Sequence, residues 1–122
     1  MFDKAFEKLR TMKECLALEL TDNTGEPIFF FENKKELGIK EISKKTNIVL
    51  QGVHELSNDY NLGSVQIIQI NTDEYTIFSV CSGEKERVHI HLFIVFSTNV
   101  NIALANIAIN EAVAEVLSIV NE

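Results

Sequence analysis

The chain has 122 residues, 46% hydrophobic and 24% charged, with a formal net charge of −7. A chain of this length can bury roughly two-thirds of its unfolded surface in one domain without staples, so a single domain over residues 1–122 is expected. The acidic balance disfavours nucleic acid and anionic membrane, which both require a basic face. The longest apolar run is about five residues, far short of the ~20 of a membrane helix. The N-terminal ten residues are charged throughout, with no apolar signal core. No membrane insertion and a cytoplasmic location are expected. Cys15 and Cys81 show no CxxC spacing and read as reduced, small apolar fillers.

Phe2, Ala5, Phe6, Leu9 and Met12 recur at helical spacing among charged residues, which predicts an amphipathic helix of about three turns ending near Thr11. Residues 15–20 then alternate. Leu16, Leu18 and Leu20 fall on one face, and Cys15, Ala17 and Glu19 on the other, where the small residues suit a closely packed helix. Asp22-Asn23-Thr24-Gly25 is a turn signal, with Gly25 suited to the left-handed position. A returning strand follows over residues 27–31. Pro27 at its start, with Glu26, Glu32, Lys34 and Lys35 around it, protects a sheet edge.

A long helix is predicted from Glu36 or Ile39 to Tyr60, with a stripe of Ile39, Ile42, Thr46, Val49, Val53, Leu56 and Tyr60. At ~1.5 Å per residue it exceeds roughly 30 Å, enough to cross a sheet. Ile48 and Leu50 lie off that stripe and are apolar too, so the helix needs a second surface to cover it. Asn61-Leu62-Gly63 stops it.

Three strands close the chain, at 64–70, 75–81 and 88–96, joined by short polar loops that make an antiparallel meander. Residues 88–96 are β-branched or aromatic at most positions, without Gly or Pro. Such a strand is buried on both faces and belongs at the centre of the sheet. Ser97-Thr98-Asn99 offers helix N-caps, and a last helix over 100–120 presents Ile102, Ile109, Val113, Val116 and Val120 inward. The expected fold is α/β (α+β), a single five-stranded, mostly antiparallel sheet. Its order of elements is helix, strand, strand, helix, three strands, helix. The long helix covers one face and the two terminal helices the other.

The strand at 64–70 has no charge, Pro or Gly, so an open edge there is an aggregation hazard. Pairing of two copies across a two-fold axis, with the long helices meeting alongside, resolves both surpluses. The expected interface is Val49, Leu50, Val53, His54, Ser64, Gln66, Ile68 and Ile70. The partner is therefore a second copy of the chain.

Chemistry has little to stand on. His89 and His91 have ligand-like spacing on a strand, and Cys81, Glu84 or Glu86 would be near across the hairpin. Zinc sites usually show more ligands, so the pair reads as two polar positions near a strand's start, facing solvent or a helix end. His54 reads as a partner-surface residue. There is no GxSxG, and the five glycines are scattered singly, which excludes a phosphate-cradling loop. No cofactor, metal or enzymatic activity is expected. The alternatives from other classes are a ligand-binding sensor of profilin- or PAS-like architecture and, more remotely, a metalloenzyme using His89 and His91.

The chain resembles the roadblock / dynein light chain family, related to longin and profilin-like folds. The carrying stretches are Asp22-Asn23-Thr24-Gly25-Glu26-Pro27-Ile28, Tyr75-Thr76-Ile77-Phe78-Ser79-Val80, and residues 92–109, where a strand runs into Asn101-Ile102-Ala103-Leu104. The resemblance implies a homodimeric or heterodimeric, non-catalytic platform with a continuous ten-strand sheet. Such a platform binds and regulates Ras-like small GTPases or scaffolds motor and signalling complexes. With only Arg10 and Arg87 as arginines, no arginine finger is expected.

Overall fold

The computed structural model describes residues 1–33, 37–83 and 88–121. Its elements are α1 (Glu7–Thr11), β1 (Cys15–Asp22), β2 (Pro27–Glu32), α2 (Ile39–Asp59), β3 (Ile67–Asn71), β4 (Tyr75–Cys81), β5 (Ile90–Ser97) and α3 (Ile102–Val120). Seven of the eight β5 residues are buried, because the strand has a neighbour on each side and a helix layer on each face. The sheet order is β2-β1-β5-β4-β3 and every pairing is antiparallel. The element order and the five-stranded sheet are as the sequence predicts.

Alternation along β5 divides the core in two. Ile90, Leu92, Ile94 and Phe96 join Phe2, Phe6 and Leu9 from the N-terminus and Ala105, Ala108, Ile109, Ala112 and Val116 from α3. Three alanines on the sheet-facing side of α3 let that helix sit low on the strands. By length and composition α3 would suffice to cross a membrane, yet this apolar side is the lid of the larger core. Phe93 and Val95 face the other way, with Ala17 and Ile39 and the flanking Leu16, Leu37, Ile42, Tyr75 and Ile77.

Four local readings shift. A bulge lies between Cys15 and Ala17 in the pairing of β1 with β5. The extra residue moves Cys15 to the face of Leu18 and Leu20 and puts Leu16 with Ala17 on the α2 side. α1 has only five helical residues, since the turn before it mixes Phe6 N→Phe2 O with Glu7 N→Lys4 O spacing. β3 begins at Ile67, not at Ser64. Finally, Asn101 caps α3, its side chain accepting from Leu104 N at 3.0 Å, while residues 97–100 form a turn.

The ends of α2 follow from backbone chemistry. Gly38 stands before it at φ 66°, a conformation cheap for glycine. At the other end Asn61 has φ 54°, Leu62 N donates to Ser57 O at 2.9 Å and Asn61 N to Asn58 O at 3.4 Å. These are the two bonds of a Schellman stop. The suggested start at Glu36 lies outside the described residues, as do Lys34 and Lys35.

Cys15 is fully buried, and burial pushes its thiol up to about 12. Since the thiolate is the nucleophile, Cys15 is expected to resist iodoacetamide in the native protein and react fully once denatured, as peptide mass spectrometry would read. Labelling of native Cys15 at the rate of a free thiol would contradict this packing.

Candidate interaction surface

The sheet beneath α2 changes character along the helix. Its first turn meets the apolar patch of Ala17, Phe93 and Val95. Beyond it the strands present Glu19, Thr21, Ser79 and His91, all buried. The helix answers with its own polar groups. Ser43 Oγ donates to Glu19 Oε1 at 2.7 Å, and His91 Nδ1 lies 2.9 Å from Asn47 Oδ1. Thr46 Oγ1 donates back to Ile42 O at 2.8 Å. Glu19 Oε2 has no hydrogen-bond partner among the described residues, and an unmet buried oxygen costs about 1–3 kcal/mol.

The buried line of α2 is therefore Ile39, Ser43, Thr46, Leu50 and Ser57. The predicted apolar stripe is turned to one side. Val49 is 50% exposed, Leu56 51% and Tyr60 70%, and Ile48 adds a further exposed side chain. Of the predicted stripe, Ile39 and Thr46 are buried and Ile42 and Val53 half-buried; periodicity misplaced Val49, Leu56 and Tyr60 and missed Ser43, because it weighted apolar residues while the seam below asks for hydrogen-bonding groups.

The expected interface residues divide accordingly. Leu50 is fully buried within its own chain and cannot meet a partner, which corrects its assignment. Val49 is exposed and Val53 half-buried on the outer flank. His54 is half-buried and turned toward Cys81 and His91, not toward a partner. On β3, Ile68 pairs with Ser79 and Ile70 with Ile77. Cross-strand partners share a face, so both lie on the α2 side, half-buried. Ser64 and Gln66 precede the strand and line a groove of about 590 Å³ with Ile67, Val113 and Leu117.

His89 and His91 are not two solvent-facing polar positions, because alternate residues at the start of β5 turn under α2. His91 is 7% exposed, and burial first, then the neighbouring imidazoles of His89 and His54, lower its pKa to about 4. Cys81 Sγ lies 2.8 Å from His89 Nε2, and His89 Nε2 lies 3.1 Å from His91 Nε2. Glu84 and Glu86, the acidic candidates beside them, are outside the described residues. The roles of Asn47 and Ser43 carry no motif; only the polar outward pattern of Glu19, Thr21 and His91 signals that α2 needs a polar underside.

A five-stranded antiparallel sheet with one long helix on one face and two terminal helices on the other is the roadblock/LC7, longin-like fold. No protein-family model matches the sequence, and no curated protein does. Among solved structures, MglB of Myxococcus xanthus superposes with a TM-score of 0.84 at 12% identity, over 98% of this chain and 94% of that one. A roadblock/LC7 domain from Streptomyces avermitilis gives 0.81 at 11% identity over 98% of each chain. The gliding protein MglB from Thermus thermophilus gives 0.77 at 13% identity, over 92% of this chain and 82% of that one.

Two substitutions separate the core from the surface. Leu50→Ala is expected to cost roughly 2–5 kcal/mol of stability. Leu56→Glu, on the outer flank, is expected to leave the protomer's stability within about 0.5 kcal/mol. Denaturation of both, under conditions where the chain is monomeric, checks the orientation of α2, and the reverse ranking would contradict it.

Proposed function

We propose that the chain is a non-catalytic interaction module. Two copies pair through β3 and the outer flank of α2, and the pair binds or regulates a Ras-like small GTPase or scaffolds a signalling or motility complex. The observation that carries this reading is an apolar flank of α2, Val49, Leu56 and Tyr60, in the same protomer as a sheet edge paired only to β4. β3 reads Ile-Ile-Gln-Ile-Asn and carries none of the charges or prolines that blunt exposed edges. Edge-to-edge pairing would satisfy its backbone and continue the sheet into a second copy.

The shared fold supports the setting. One structural neighbour is a gliding protein, and another is an MglB with a tetrameric arrangement. The GTPase as partner rests on the sequence resemblance. Arg10 Nη2 donates to Asp3 O at 2.8 Å, a local role that does not offer a guanidinium to a phosphoryl group; Arg87 is outside the described residues. Control of a nucleotide switch would then come from holding a loop in place. The net charge of −7 suits a partner with a basic docking face in the cytoplasm.

Ile68→Lys and Leu56→Glu place charge in the pairing surface, a cost of several kcal/mol when buried without a partner. Sedimentation should show wild-type dimer and variant monomer; unchanged dimers in both would remove the interface. A pull-down from native lysate, with GDP and separately with a GTP analogue, should recover a small GTPase whose retention falls with salt. Recovery of none in either state would count against the GTPase reading, while the dimer would stand or fall by sedimentation.

A further inference from the structure

The chain has three histidines and two cysteines; two of the histidines meet one of the cysteines at a single point, and the third histidine lies against two of those three side chains. His54 comes from α2, Cys81 ends β4, His89 precedes β5, and His91 is the second residue of β5, paired directly across from Cys81. The ligand atoms of His54, Cys81 and His91 all lie within 4.8 Å of one another. His89 Nε2 joins them, 2.8 Å from Cys81 Sγ and 3.1 Å from His91 Nε2. We propose that these four residues form a binding site for a divalent transition-metal ion, zinc foremost, which staples α2 to the β4–β5 end of the sheet.

Geometry favours this over a cluster held by hydrogen bonds alone. With zinc–nitrogen distances of about 2.0–2.1 Å and zinc–sulfur of about 2.3 Å, ligand atoms of a tetrahedron stand roughly 3.3–3.6 Å apart. The His54, Cys81 and His91 ligand atoms stand within 4.8 Å of one another, and His89 Nε2 is within 3.1 Å of two of these side chains, close to that spacing.

Asn47 supplies the outer contact that fixes the tautomer and ring plane of a liganding imidazole. Three imidazoles and one thiolate select zinc, cobalt, nickel or copper over magnesium or calcium, which prefer oxygen. Cys81 and His91 are buried, and four protein ligands leave no open position. The site is therefore structural, not catalytic, and the ion would hold down the helix that carries Val49, Leu56 and Tyr60.

The test uses the purified full chain, stripped by a chelator and titrated with Co²⁺. One equivalent should bind, with intense visible bands of a tetrahedral site and a thiolate-to-cobalt charge-transfer band, both bleached by Zn²⁺. Zn²⁺ should also raise Tm. Cys81→Ser should abolish the charge-transfer band, and His91→Ala should weaken binding at least 100-fold. Asn47→Ala should weaken it about 10–100-fold and retain the charge-transfer band at saturation. Where circular dichroism shows either ligand variant misfolded, His54→Gln on the half-buried helix carries the test, with an expected loss of at least tenfold. A weak octahedral cobalt spectrum only, or wild-type affinity in the folded ligand variants, would overturn the site.

Discussion

The contact between α2 and the sheet is apolar at the start of the helix and polar along most of its length, and this division governs much of the molecule. Glu19, Thr21, Ser79 and His91 are buried strand residues, so the helix above them must bring hydrogen-bonding groups and not methyls. Ser43 and Asn47 do so. Having turned its polar side inward, α2 has no room there for Val49, Leu56 and Tyr60, which remain on an exposed flank. Leaving all four of these strand residues unmet, at about 1–3 kcal/mol each, would outweigh the ~1.5–3 kcal/mol gained from burying one more aliphatic side chain. The outward flank that calls for a partner is thus a consequence of how the interior is satisfied.

The opposite face has no such tension. α3 sits on alanines, Phe78 meets Phe96 edge-on at 5.7 Å, and Phe6 stacks on Phe29 at 5.1 Å. This larger core buries β5, and β5 in turn pairs in register with β1 and β4. The molecule therefore has one face committed to stability and one that tolerates buried polar chemistry.

Much of this was legible before the structure. The doubly apolar run in residues 88–96 could only be a central strand, and the Asp22–Gly25 turn is formed as read, with Asp22 Oδ1 accepting from the amides of Thr24 and Glu26. Strand order followed from these. The rotation of α2 was only partly legible from hydrophobic spacing: Ile39 and Thr46 of the predicted stripe are buried, but the rest of the buried line is Ser43, Leu50 and Ser57. Leu50 was thereby assigned outward and His54 to a partner. The bulge after Cys15 is set by pairing with β5 and carries no glycine to announce it. His89 and His91 were visible as a pair, but the arrival of His54 and Cys81 beside them depends on where α2 crosses the hairpin, a tertiary fact.

The central claim is that the β3 edge and the outer flank of α2 are covered by a second copy of the chain. Hydrogen–deuterium exchange as a function of protein concentration tests it most directly, since the outward amides of β3 have no partner strand within the protomer. Those amides and the α2 segment around Val49 and Leu56 should be protected in concentrated protein and exchange freely on dilution, while β5 stays protected throughout. Rapid exchange along β3 at every concentration, from a chain that sediments as a monomer, would contradict the account.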